Sequence, residues 1–270
     1  MKVMTNVLYK YFSTEEFKLK KFTEQKVLLT PPKYFNDPWD FLVRREPPSE
    51  EELRALFEKF ENEEQSNGGS EEEKEKRFQT WRESVTNPKF EEGEGPHMQV
   101  SLSAKFGAVC LTSRPLDRLM WAHYAESYRG FVAEFKCPEE LVVHGRLARQ
   151  TPFGAAIKVL YDDTWPRAAK DFKNVWEVCS TKHTKWKDED EWRVILELQD
   201  PRVVPDGNRY YLQFEPQDLR RVFYFENRVS QAIQDHLQKM LARGEFAHVE
   251  KEIVKIDPAS GQLITQPSAK

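Results

Sequence analysis

Glu189-Asp190-Glu191-Trp192-Arg193-Val194-Ile195-Leu196-Glu197-Leu198 decides the class of fold, because apolar side chains recur at every second position along it. That period is the mark of a strand with one face on a core. Extended, the segment puts Trp192, Val194, Leu196 and Leu198 on one side and Glu189, Glu191 and Arg193 on the other. Residues two apart on a strand lie roughly 7 Å from each other, so Arg193 can keep Glu191 ionised while Glu189 makes separate contacts. The array is either a catalytic or ligand-holding group or the solvated charge of an edge strand.

Other segments supply the partners of this strand. Val7 to Phe12 and Lys26 to Thr30 read as strands, the second stopped by Pro31-Pro32, with Ser13 or Thr14 capping a short helix between them. The loop Lys33 to Asp40 carries Tyr34, Phe35 and Trp39, and aromatics in a loop need a reason. Gly107 to Thr112, Phe131 to Phe135, Ala156 to Tyr161, Tyr210 to Phe214 and Val222 to Phe225 read as further strands. Ser113 caps a helix in which Leu116, Leu119, Met120, His123 and Tyr124 share a broad face, and Ser230 to Ala242 is a second amphipathic helix. Val249 to Ile256 and Gln262 to Thr265 form a closing hairpin. Helices and strands mix without a regular βαβ rhythm, so the expected class is α+β, with a mixed, largely antiparallel sheet and flanking helices.

The boundaries expected are one α+β domain over 1–270, with 46–96 an inserted acidic helical arm and 227–270 a C-terminal helix plus hairpin. In the arm, Leu53, Leu56, Phe57 and Phe60 follow at helical spacing, Asn62 to Glu73 reads as a flexible tip, and Lys76 to Ser84 as a second polar helix. Its charge reads as a solvated face rather than a docking surface.

The net charge of -4 hides an asymmetry: the acids concentrate in that arm and the rest of the chain is close to neutral or mildly basic, so no polybasic character argues for non-specific nucleic-acid binding. A mean hydropathy of -0.74 and the lack of a long apolar run exclude a transmembrane helix. A cytoplasmic protein with no membrane partner is expected. Cys110, Cys137 and Cys179 are widely spaced and form no C-x-x-C pair, so they read as reduced core residues, and no metal is expected.

Phosphate-binding, dinucleotide-binding, hydrolase-elbow and zincin motifs are absent. His123, within Met120-Trp121-Ala122-His123-Tyr124, is the histidine set among aromatics, whereas His97, His144, His183, His236 and His248 lack metal-ligand spacing. Glu134-Phe135-Lys136 has the E-x-K form of metal-dependent nucleases, but the nearest upstream acids, Asp117 and Glu126, fall on the expected helix.

Glu189-Asp190-Glu191 has the E-x-E form that resembles the acidic motif of arginine-modifying ADP-ribosyltransferases. That resemblance implies NAD as cofactor, Glu191 as the catalytic acid and Glu189 orienting the acceptor. Lys10 and Tyr11 on the first strand, with Trp121, His123 and Tyr124, would hold the dinucleotide. Charge develops at the ribose carbon as nicotinamide leaves, so a carboxylate there binds the transition state more strongly than the ground state. Lys10 stands where such enzymes carry Arg or His, and the Ser-Thr-Ser triplet is missing.

A second resemblance covers more of the chain. Leu8-Tyr9-Lys10-Tyr11, Phe35-Asn36-Asp37-Pro38, Met120 through Tyr124, Gly130-Phe131 and Trp186 through Arg193 are ordered as in the bacterial domain-of-unknown-function family 2971. It implies that Tyr9, Asn36, Asp37, His123, Tyr124, Glu189, Glu191 and Arg193 belong to one pocket. The expected function is that of an ADP-ribosyltransferase-like enzyme using NAD, in defence or toxin biology, acting on a protein acceptor. The alternative is a non-catalytic module that binds a small-molecule or nucleotide ligand or a partner, its polar residues forming a structural network. A metal-dependent nuclease is third.

Overall fold

A computed structural model describes residues 7–41, 44–45, 49–63, 69–85, 102–137, 153, 156–164, 167–168 and 175–267. His97, His144, the tip at 64–68 and the arm's ends at 46–48 and 86–96 lie outside the described residues.

In chain order the elements are β1 (Val7–Phe12), α1 (Glu16–Thr23), β2 (Lys26–Leu29), β3 (Arg44–Arg45), α2 (Glu50–Glu63), α3 (Glu71–Val85), β4 (Phe106–Thr112), α4 (Arg118–Tyr124), β5 (Phe131–Lys136), β6 (Ile157–Lys158), β7 (Leu160–Asp162), β8 (Arg167–Ala168), α5 (Val175–Ser180) and β9 (Thr181–His183). They continue with β10 (Glu191–Glu197), β11 (Val203–Asp206), β12 (Arg209–Gln213), β13 (Leu219–Tyr224), α6 (Gln231–Leu241), β14 (Glu250–Ile256) and β15 (Leu263–Pro267). An eight-stranded sheet runs β15-β14-β13-β5-β1-β4-β10-β6. Its pairs are antiparallel except β13 with β14, which α6 joins as a parallel crossover. The class is therefore α+β, with a mixed, mostly antiparallel sheet and flanking helices.

The alternation in β10 is realised as two packing faces. Val194 and Leu196 enter the main core with Leu8, Val109, Leu111, Ala133 and Phe135, under α1, α6 and the small sheet β11-β12-β2. The opposite face carries Glu191, Arg193 and Ile195, level with Thr112, Cys110 and Ala108 of β4. Because β10 lies between β4 and β6, it is not an edge strand. Its charges are interior: Glu191 is 4 % exposed and Arg193 0 %.

Four local expectations are corrected. The strand starts at Glu191, because Glu189 closes a 3-10 turn (Thr184–Glu189) and Asp190 adopts φ 43°, a left-handed conformation that Asp tolerates. Helix α4 is capped by Asp117, whose carboxylate accepts from the Leu119 and Met120 N–H groups, so Ser113 is freed to bond Asp190. Leu119 and His123 are exposed rather than inward. Helix α1 begins at Glu16 with no side-chain cap, and Thr14 instead donates to Glu126. By contrast, Ser230 caps α6 through the Ile233 N–H as its sequence implies. The arm folds as two helices closed on each other by Leu53, Phe57 and Phe78. Among the described residues no helix is long and apolar enough to cross a membrane.

Gly130 shows how closely the sheet and α4 approach. A Cβ there would lie 1.8 Å from the Phe12 carbonyl oxygen, which is backbone and cannot swing away. Gly130→Ala is expected to destabilise the protein by about 1–3 kcal/mol, the range for overpacking, read as a lower urea midpoint. Gly107→Ala, whose Cβ would lie 2.8 Å from the Leu29 Cγ, a side-chain atom rather than backbone, is expected to cost less.

Candidate functional site

The polar face of β10 is closed by three other segments. The Phe35–Phe41 loop brings Asp40, β9 brings Lys182, and the 3-10 turn ahead of β10 brings Glu189. Arg193 donates from Nη1 and Nη2 to the two Asp40 oxygens at 2.8 and 2.6 Å, from Nε to Glu191 at 2.8 Å, and from Nη1 to the Cys179 carbonyl at 2.9 Å. Such forked pairing is what a planar guanidinium does best. Its carbon also lies 5.4 Å from the Phe35 ring centre and 5.1 Å from that of Phe41. Lys182 bridges Glu189 at 2.6 Å and Glu191 at 2.9 Å. Glu189 then accepts from the Tyr124 hydroxyl, which accepts from the Asn36 amide at 2.9 Å. A continuous chain of contacts thus runs from the buried Arg193 to the exposed Asn36.

Holding Asp40 in place requires a strained turn. Phe41 has φ 63°, uncommon for an aromatic residue, while its ring is 1 % exposed and its N–H bonds Asp40 at 3.1 Å. Asp37, also buried, accepts from the Trp39 N–H at 3.0 Å and so shapes the same loop. On β4, the buried Thr112 donates to the Glu189 carbonyl at 2.6 Å, tying the turn to the sheet.

The titration directions follow from this packing. Burial opposes the charge on Glu191, but the Arg193 and Lys182 cations outweigh it and bring its pKa down to about 2. Burial likewise opposes the Lys182 ammonium, and the Glu191 and Glu189 carboxylates outweigh that, holding it above the ordinary lysine range. Asp40 goes the other way: its burial outweighs the attraction of Arg193. Three carboxylates against two cations leave an excess negative charge, which falls most heavily on Asp40.

The residues expected in one pocket do not all converge. Glu189, Glu191, Arg193, Tyr124 and Asn36 are joined, Asp37 shapes the loop beneath them, and exposed His123 adjoins Tyr124 with ring centres 6.4 Å apart. Tyr9 and Tyr11 share the Glu191 face through the register Tyr9 to Thr112 to Glu191, but they pack in a neighbouring cluster around Trp121. There Tyr11 donates to the Arg114 carbonyl at 2.7 Å, and the fully buried Trp121 donates to that of Pro115 at 2.8 Å. Lys10 alternates to the opposite face beside Leu8 and Phe12, where it reaches the Cys110 carbonyl at 3.3 Å and burial lowers its pKa. Glu191 acts on Lys10 through its charge, while the hydrogen bond of the Lys10 ammonium goes to the Cys110 carbonyl. Asp40 and Lys182 complete the network, and sequence reasoning missed both. Asp40 stood at the end of a loop noted for its aromatics and for Asn36 and Asp37, and Lys182 in a short strand with no apolar alternation.

Glu134 of the E-x-K segment is fully buried, and Arg221 occupies its Oε2 at 2.9 and 2.7 Å. Asp117 and Glu126 serve as a helix cap and as the acceptor for Thr14. Among the described residues no group of three or more His, Cys, Asp and Glu side chains is arranged to hold a metal ion. Cys137 and Cys179 are buried, Cys110 is half-buried, and all three are free thiols. Comparison with known proteins finds no matching family model, no matching curated protein and no matching solved structure.

Removing one partner of a buried ion pair strands the other, at a cost of about 3–5 kcal/mol. Arg193→Ala and Asp40→Ala are each expected to fall in that range in urea unfolding, and the double variant well short of the sum. The acid limb supplies a second test. Glu191 sits below its ordinary value of 4.5, so its contribution is full above pH 4.5 and is lost as pH falls toward 2. Asp40, raised, acts with the opposite sign and offsets part of this. Stability measured against pH is expected to drop through that window in the wild type and to do so less steeply in Glu191→Gln.

Proposed function

We propose that the chain is a non-catalytic binding module, in which the Asp40–Arg193–Glu191–Lys182 network fixes a loop and a helix end to the sheet so that their exposed groups meet a ligand. The observation that carries this reading is Arg193: it is fully buried, with its hydrogen bonds directed to Asp40, Glu191 and the Cys179 carbonyl. Its work is to hold segments together. The surface that this holds in place comprises the Asn36 amide, the Tyr124 hydroxyl, His123 and the half-buried Trp186, whose ring centre lies 4.9 Å from the Lys182 ammonium. Amide and hydroxyl groups beside flat rings suit a small polar or nucleotide ligand.

The enzymatic alternative, ADP-ribosyl transfer from NAD, assigns Glu191 a role facing the ribose carbon. Both Glu191 oxygens are bonded to buried cations, and a carboxylate so engaged has little left to give a developing positive charge. Glu189 is engaged in the same way, one oxygen accepting from the Tyr124 hydroxyl and the other from Lys182.

Incubation with NAD labelled in its nicotinamide separates the two readings. Neither wild type nor Glu191→Gln is expected to release nicotinamide above the solvent background. Release by the wild type that Glu191→Gln abolishes while remaining folded would overturn the module reading. Asn36→Ala, by contrast, is expected to leave the melting temperature within about 0.5 kcal/mol equivalent of wild type, as surface substitutions do.

A further inference from the structure

Strand β15 ends the eight-stranded sheet. It pairs with β14 along its whole length, from Ile256 opposite Leu263 to Glu252 opposite Pro267, and the register runs without a bulge. Among the described residues nothing pairs with its outer side. The other end of the sheet is β6, only two residues long.

Monomeric proteins keep an open edge from pairing by shortening it, bulging it or charging it. In a chain that is 32 % charged, β15 reads Leu263-Ile264-Thr265-Gln266-Pro267, with no charged side chain at all. Proline at its last position is its one guard. On either face of the β14–β15 ribbon an isoleucine is left in water: Ile256, opposite Leu263, is 51 % exposed, and Ile264, opposite Lys255, is 46 % exposed.

We infer that β15 is a self-pairing edge through which two copies of this chain join into one continuous sheet. The inference is independent of the ligand reading above, since it rests on the other end of the sheet. An antiparallel edge is complementary to itself across a two-fold axis, and a two-fold contact closes without propagating. With the axis at Thr265, Thr265 meets its own copy, Ile264 meets Gln266 and Leu263 meets Pro267. Pro267, without an N–H, takes part only through its carbonyl, and no like charges are brought face to face. Directly opposed threonines are a favourable cross-strand pair, and the two Ile264 side chains become diagonal neighbours roughly 7–8 Å apart, within reach of each other. The backbone edge thus provides direction, and the exposed isoleucines provide apolar area that would otherwise stay wet.

Sedimentation equilibrium of the full chain tests this. The wild type is expected at twice the 31.9 kDa chain mass. Ile264→Lys, which leaves the backbone intact and places a charge beside the axis, is expected to shift it to the single-chain mass with its melting profile retained. Thr265→Cys is expected to cross-link two chains under mild oxidation, because the two sulfurs would face each other across the axis. A wild type that stays at the single-chain mass at every concentration overturns the inference. So does a dimer that survives Ile264→Lys and does not cross-link through position 265, because its interface then lies elsewhere.

Discussion

Removing a guanidinium from water is costly unless its N–H groups find partners. The arrangement around β10 is a solution to that constraint. Arg193 is buried on one side of a sheet whose other side is the main core, so it cannot reach solvent along the strand. Its partners must come to it. Asp40 arrives from a loop more than 150 positions earlier in the chain, Glu191 from the same strand, and the Cys179 carbonyl from the end of α5. Each contact ties a different segment to the sheet, and together they set where the Asn36 and Tyr124 groups stand.

The same constraint explains the strain in the loop. Phe41 turns through a left-handed conformation, which lets its ring and that of Phe35 pack beside the guanidinium while Asp40 receives both terminal nitrogens. The local backbone cost is offset by a buried ion pair and two aromatic contacts. Hydrogen bonds continue the network outward from Glu189 through the Tyr124 hydroxyl to the exposed Asn36 amide. The network is therefore buried and fully bonded at its Arg193 end and polar at its exposed end.

Much of the fold was legible wherever a periodic pattern coincided with burial. Strand β10 showed its faces because Val194 and Leu196 had to be inside, and α6 showed its start because Ser230 precedes an apolar stripe. Where two residues could serve one role, the pattern was ambiguous. Ser113 and Asp117 are both good caps for α4, and Asp117 prevailed because Ser113 bonds Asp190 on the neighbouring segment. Within the site, Glu191 and Arg193 stood out by their spacing alone. Lys182 did not, since a lysine between Thr181 and His183 looks like any exposed lysine until its neighbours are known.

The sequence by itself determined the α+β class, the two faces of β10, the closing hairpin and the pairing of Glu191 with Arg193, because all of these depend on residues close together in the chain. Tertiary structure alone decided that β10 lies inside the sheet, that Asp40 and Lys182 complete its charges, and that the Lys10 ammonium bonds the Cys110 carbonyl. The reason is physical: strand order and register are set by contacts between distant segments, and a shift of one residue in register sends a side chain to the other face.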